Sequence, residues 1–166
     1  MKTEFKASLD LSSKILSALM IGFTIWLFYR IIVQMQNNGT DIRGQLIIFL
    51  ILLAIILTSY LWHPKSYSLT DDALTINRAF KPIHLNFKEI NSVNLPSNSD
   101  LYGTIRTFGV GGLFGYFGKF YNRKYGTMNW YVTQRKNRIL IELKSGQKYM
   151  ISPDDQNLIE KLQAKI

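Results

Sequence analysis

Hydrophobic positions in this chain change rhythm near residue 64. Before it they form two nearly unbroken runs, and after it they alternate with polar ones. The run from Leu46 to Trp62 carries no charge, no glycine and no proline. As a helix it would be about 26 Å long, close to the ~30 Å hydrocarbon core of a bilayer. Tyr60 and Trp62 stand at its end, where amphipathic rings favour the headgroup level. His63, Pro64 and Lys65 then stop the helix. The earlier run, Ile15 to Tyr29, is short, but a snorkelling Arg30 would extend it to Val33, about 28 Å in all. A cleaved leader is the rival reading of this run. No small-x-small site lies between Phe28 and Gln36, and a second apolar run follows, so a retained span is expected. A buried core hairpin is disfavoured, since the rest of the chain has too little surface to cover two such helices.

The expected organisation is a polar segment at 1–14, a first span at 15–35, a loop at 36–44, a second span at 45–63 and a folded domain at 64–166. The loop holds turn chemistry at Asn37-Asn38-Gly39, with Thr40 or Asp41 to cap the next helix. In the domain, Tyr67–Leu69, Ala73–Arg78, Ile83–Asn86, Gly126–Thr133, Arg138–Leu143 and Gln147–Ser152 read as strands, and Phe87–Leu95 as a turn leading into another strand. Lys144-Ser145-Gly146 reads as a hairpin turn. Pro153 is expected to open a helix with Asp154 and Asp155 in its first turn and an apolar stripe of Leu158, Ile159, Leu162 and Ile166. The fold class is therefore α+β. A two-helix transmembrane hairpin precedes a pleckstrin-homology-like (PH-like) antiparallel barrel or sandwich of about seven strands, capped by a C-terminal α-helix.

Charge adds a location to this plan. From Lys65 onward there are 15 Lys and Arg against 8 Asp and Glu, a net +7, while the residues before it carry 5 against 3, a net +2. A basic domain beside a bilayer suits an anionic leaflet. Nucleic acid, the other usual partner of such charge, is not expected, as no motif for it is visible. Lys2, Lys6, Lys14 and Lys65 flank the two runs, against Arg43 in the loop and Arg30 at its edge, so both termini are expected in the cytoplasm.

Between Pro96 and Gly126 the alternation lapses. Glycines recur at 112, 115 and 118, with phenylalanines at 114, 117 and 120. The run is neither a dinucleotide fingerprint nor a phosphate loop, since Phe114 replaces one required glycine and Gly118-Lys119 is followed by Phe120. Aromatics beside a basic cluster suit an interfacial membrane contact. The candidate lipid-contact residues are Phe114, Phe117, Phe120, Lys119, Arg123 and Lys124. The competing expectation is a long hairpin whose glycines allow close packing and whose aromatics fill a core. The stretch Phe108-Gly-Val-Gly-Gly-Leu-Phe-Gly-Tyr-Phe-Gly118, with Tyr121-Asn122, Tyr131-Val-Thr133 and Asn137, resembles the bacterial PH-domain proteins that carry an amino-terminal hairpin of membrane helices. The resemblance runs from about Tyr67 to the end. It implies a PH-like fold on the cytoplasmic side and brings no catalytic residues.

Catalytic chemistry has little to stand on. Cysteine is absent, and the two histidines, His63 and His84, lie near no carboxylate pair or metal spacing. Asp71-Asp72 and Asp154-Asp155 read as a turn and a helix start, and no nucleophile motif is visible. No cofactor and no enzyme activity are expected. The expected function is a membrane-anchored binding or adaptor module of the inner membrane, meeting lipid headgroups, a membrane-protein partner or a second copy of itself. A structural accessory subunit of a larger membrane complex is the alternative.

Overall fold

Leu11–Gln36 (α1) and Arg43–Trp62 (α2) are uninterrupted helices of 26 and 20 residues, long and apolar enough to cross a membrane. The computed structural model describes residues 3–36 and 41–166. The turn expected at Asn37-Asn38-Gly39 and the Thr40 cap lie outside the described residues. Asp41 does act at the start of α2, its carboxylate accepting the Arg43 N–H at 3.0 Å. Along α1 the buried residues Ser13, Ser17, Thr24, Leu27 and Ile31 fall on one face. Phe28 stacks on Phe49 of α2 with ring centroids 5.2 Å apart.

The strands form two sheets packed as a sandwich, open at its edges. One sheet has the order β1 (Thr3–Lys6), β2 (Pro64–Leu69), β3 (Ala73–Arg78) and β4 (Ile83–Asn86). The other contains β5 (Ile90–Asn94), β6 (Ile105–Gly112), β7 (Gly115–Asn122), β8 (Gly126–Val132), β9 (Ile139–Leu143) and β10 (Lys148–Ile151). Its spatial order is β5-β9-β10-β8-β7-β6, with β10 parallel to β8 and its other pairs antiparallel. The main core lies between the sheets. Tyr67, Leu74 and Ile76 meet Ile141 and Ile151 there, and Leu158 and Leu162 of α3 (Asn157–Gln163) close one end. A second cluster on the outer face of the larger sheet includes Tyr116, Phe120, Met128 and Trp130, covered by Leu101 of the loop before β6.

Four elements depart from the seven-strand plan. The described residues hold ten strands; the additional ones are β1, and β6 and β7, which form the long glycine hairpin of the competing expectation. Segment 1–14 is more than a flank. Thr3–Lys6 pairs antiparallel with β2, Thr3 opposite Leu69, and α1 already begins at Leu11. The two-helix hairpin is thus an excursion between the first two strands of one sheet. The C-terminal helix starts at Asn157 rather than Pro153, because Asp154 is engaged elsewhere. Its carboxylate accepts the Ser8 N–H at 2.9 Å and the Ser8 hydroxyl at 2.6 Å, and its own N–H donates to the Lys6 carbonyl at 3.0 Å.

Tyr67 ties the two sheets together. Its buried hydroxyl donates to the Tyr131 carbonyl at 2.7 Å and accepts the Ser152 N–H at 3.1 Å. Burial pushes this hydroxyl up to about 12, the bond from Ser152 opposing. Tyr67→Phe leaves both backbone groups without a partner and is expected to cost about 2 kcal/mol. Because the folded-state pKa is raised above the ordinary value near 10, the stabilisation is full below about pH 10 and is lost as pH rises toward 12. Urea unfolding at about pH 8 and about pH 11 should therefore show the gap between wild type and variant narrowing at the alkaline pH, by up to ~1.4 kcal/mol per pH unit. A gap of constant size would contradict this account.

Candidate functional site

The main core draws on β5, β9 and β10 of the larger sheet's inner face, with Tyr131 of β8 at its margin. Register carries the same face across Tyr131 of β8 to Phe117 of β7 and Val110 of β6. There the cover is no longer a sheet but the last turns of α2. A groove of about 480 Å³ results, walled by Ile55 and Trp62 on one side and by Phe108, Val110 and Phe117 on the other. That volume falls within the ~300–1,000 Å³ usual for small-molecule clefts.

Glycines make the strand side of this groove possible. Gly109 and Gly118 face each other across the hairpin at φ +111 and +122. A Cβ on Gly109 would strike the Phe117 carbonyl oxygen, and one on Gly118 the Phe108 carbonyl oxygen. The hairpin tip is wedged against both helices. A Cβ on Gly112 would lie 2.7 Å from Leu16 of α1. The Phe114 N–H donates to Ser17 Oγ at 2.9 Å, and the Phe114 ring meets Tyr60 edge-on at 5.6 Å. Asp10 secures the start of α1 to the same sheet. Its N–H donates to the Thr133 carbonyl, and its carboxylate accepts the Tyr116 hydroxyl and the Ser13 N–H.

Only His63 separates α2 from β2. Pro64 pairs with Arg78, so the end of β3 sits level with the helix exit. The Phe80 N–H donates to the Leu61 carbonyl at 2.9 Å, and the Phe80 ring stacks on Trp62 at 6.3 Å. His63 Nδ1 lies 2.5 Å from the Tyr60 carbonyl and must carry the proton there.

Two cations border the groove. Arg78 donates from Nε and Nη2 to the Lys81 carbonyl, and its guanidinium carbon lies 5.2 Å from the centre of the Tyr131 ring. Burial raises the Tyr131 pKa and Arg78 opposes that shift. Lys119 lies one residue pair further along the same face, opposite Asn129. Among the described residues neither Arg78 nor Lys119 has a carboxylate partner, unlike Lys124, Lys148 and Lys165. Beyond Lys119, Asn129 and Tyr131 the groove runs into a polar trough of about 570 Å³ along Thr127, Gln147 and Tyr149.

The six candidate residues are not brought together. Phe117 and Lys119 line the groove, and Phe114 sits at the hairpin tip beside the helix ends. Phe120 is on the opposite face, buried and stacked on Trp130 at 4.3 Å. Arg123 and Lys124 occupy the turn after β7, at the far end of an eight-residue strand, roughly 26 Å from the tip. Lys124 is spent on Asp100 at 2.5 Å, which holds the Asp100 carboxyl down to about 2. Arg78 and Phe108 were missed. Arg78 closes an alternating strand and looks solvated until its pairing with Pro64 is known. Among the described residues no cluster of His, Asp and Glu is placed to hold a metal ion.

A family model described as bacterial PH domain matches residues 65–166. No curated protein and no solved structure matches the chain. PH domains are typically non-catalytic binding modules. The family match covers more than half of the chain and coincides with β2 to α3, so the chain belongs to the bacterial PH domain family.

Proposed function

We propose that the chain is a membrane-anchored binding module, with α1 and α2 crossing the inner membrane and the PH-like domain held against its cytoplasmic leaflet, where it meets lipid headgroups. The observation that carries this reading is the surface of α2. Ser59 is its one buried residue, and Ile47, Ile51 and Leu57 are each more than half exposed. So large an apolar surface is costly in water, at about 25 cal/mol per Å². With one residue between α2 and β2, a spanning α2 holds the domain at the bilayer surface. The basic flanks and the domain's net +7 favour the cytoplasmic leaflet.

Because the chain has no cysteine, single introduced thiols can report the orientation. Asn38→Cys in the loop should react with a membrane-impermeant maleimide from the periplasmic side of intact cells. Lys136→Cys, on the exposed stretch before β9, should react only after permeabilisation. The chain should also remain in the membrane through alkaline carbonate washing. Release by carbonate, or labelling of both positions from one side, overturns the reading.

A further inference from the structure

We propose that the groove between α2 and the β6–β7 hairpin seats one anionic phospholipid of the bilayer, with an acyl chain along α2 and its phosphate at Arg78 and Lys119. This inference rests on the membrane-anchored reading and names the lipid site within it. The groove has the polarity of such a molecule along its length. Its deeper end is apolar, between Ile55 and Phe117. Thr58 does not disturb that, since its hydroxyl is satisfied inside the helix by the Ala54 and Ile55 carbonyls. Ile55 lies seven residues before Trp62, about 10 Å further along α2 and so at acyl-chain depth when Trp62 marks the interface. The other end is polar and cationic. The Pro64–Arg78 pair sets Arg78 at the level where α2 gives way to strand, which is headgroup level for a spanning helix. The trough beyond Lys119 continues with Asn129, Gln147 and Tyr149, hydrogen-bonding groups suited to a glycerol or sugar headgroup.

Charge complementarity selects the occupant. Arg78 and Lys119 lack carboxylate partners among the described residues, and both border a mostly apolar space. A phosphodiester supplies the missing negative charge through charge-assisted hydrogen bonds. A soluble phosphate would leave the apolar part unfilled. A bilayer lipid fills it with the same chain that would otherwise pack on α2.

The test is lipid retention by the full chain in mild detergent, read by native mass spectrometry. Phosphatidylglycerol is the probe, and phosphatidylcholine of equal chain length is the reference. One phosphatidylglycerol per chain is expected, held about ten-fold more tightly than phosphatidylcholine, the ratio that roughly 1.4 kcal/mol yields. The double variant Arg78→Gln with Lys119→Gln should abolish that preference while the chain stays folded and carbonate-resistant. Thr58→Phe, which fills the apolar end, should weaken retention of both lipids. A preference that survives the double variant overturns the site. So does full competition by glycerol phosphate, or a lipid-free dimer that shows a second copy covering the groove. Loss of carbonate resistance defeats the anchoring reading as a whole, whereas loss of lipid preference in a carbonate-resistant chain defeats the groove alone.

Discussion

Gly118→Ala is expected to destabilise the protein by about 3 kcal/mol, combining a strained backbone with steric overlap. Gly118 stands at φ +122, where an L side chain is rarely found. Its added Cβ would overlap the Phe108 carbonyl oxygen and lie 2.8 Å from Gly109 Cα. Both obstacles are backbone, so no side chain can rotate aside. Gly109→Ala meets the mirror of the same obstruction. Gly146→Ala is the comparison: its φ is +82 but nothing lies within 4 Å of the new Cβ, so only the strain of about 1 kcal/mol remains. Urea midpoints of the three variants should rank accordingly. Equal losses at Gly118 and Gly146 would show that the cross-strand approach is not what the glycine serves. A hairpin forced apart here also loses one wall of the groove, so phosphatidylglycerol preference should fall with stability.

The second large loss is expected at Phe5→Ala, about 3–5 kcal/mol, the range for a buried phenylalanine cut back to alanine. Phe5 is 4% exposed and supplies the inward side chain of β1, opposite Tyr67. The Lys161 ammonium lies 5.3 Å from its ring centre. Removing residues 1–8 should be worse still. It takes away the pairing with β2 and the two Ser8 bonds to Asp154. Protease sensitivity of the full chain measures both variants, with faster cleavage expected within the domain. Unchanged protection after deletion of 1–8 would mean that β1 adds nothing to the sandwich.

Most of the architecture was legible because it rests on local patterns. Leu46 to Trp62 announces a helix by having nothing to interrupt it, and Leu74 with Ile76, or Ile139 with Ile141, announces a strand by strict alternation. The β9–β10 hairpin follows from Ser145-Gly146 between two such strands. β1 was hidden because four residues with one apolar side chain form no pattern, and their partner comes after two helices. β6 and β7 were legible only as one of two expectations, the long hairpin with close-packed glycines, because the three-residue glycine spacing masks the two-residue alternation of a strand. The candidate site suffered from the same cause. Phe117, Lys119 and Phe120 are near neighbours in sequence, yet the pleat sends Phe120 to the other side of the sheet, and Arg123 and Lys124 to the distant turn. The groove depends on α2, β3 and β7 meeting, and no local pattern states that.

The insertion of the helical hairpin between β1 and β2 also sets an order of events during synthesis. Thr3 emerges first but pairs with Leu69, and at about 5–20 residues per second that partner follows roughly 3–13 s later. Through that interval β1 is an unpaired edge, and both helices leave the ribosome before the sheet can begin to close. On the spanning reading, insertion therefore precedes folding of the domain, and the domain then acts as a clasp. If only one helix crossed, β1 and β2 would end on opposite sides of the bilayer and could not pair. Closure of the sheet is thus denied to a chain with a single helix inserted, and such a chain stays open to proteolysis at its unpaired strands.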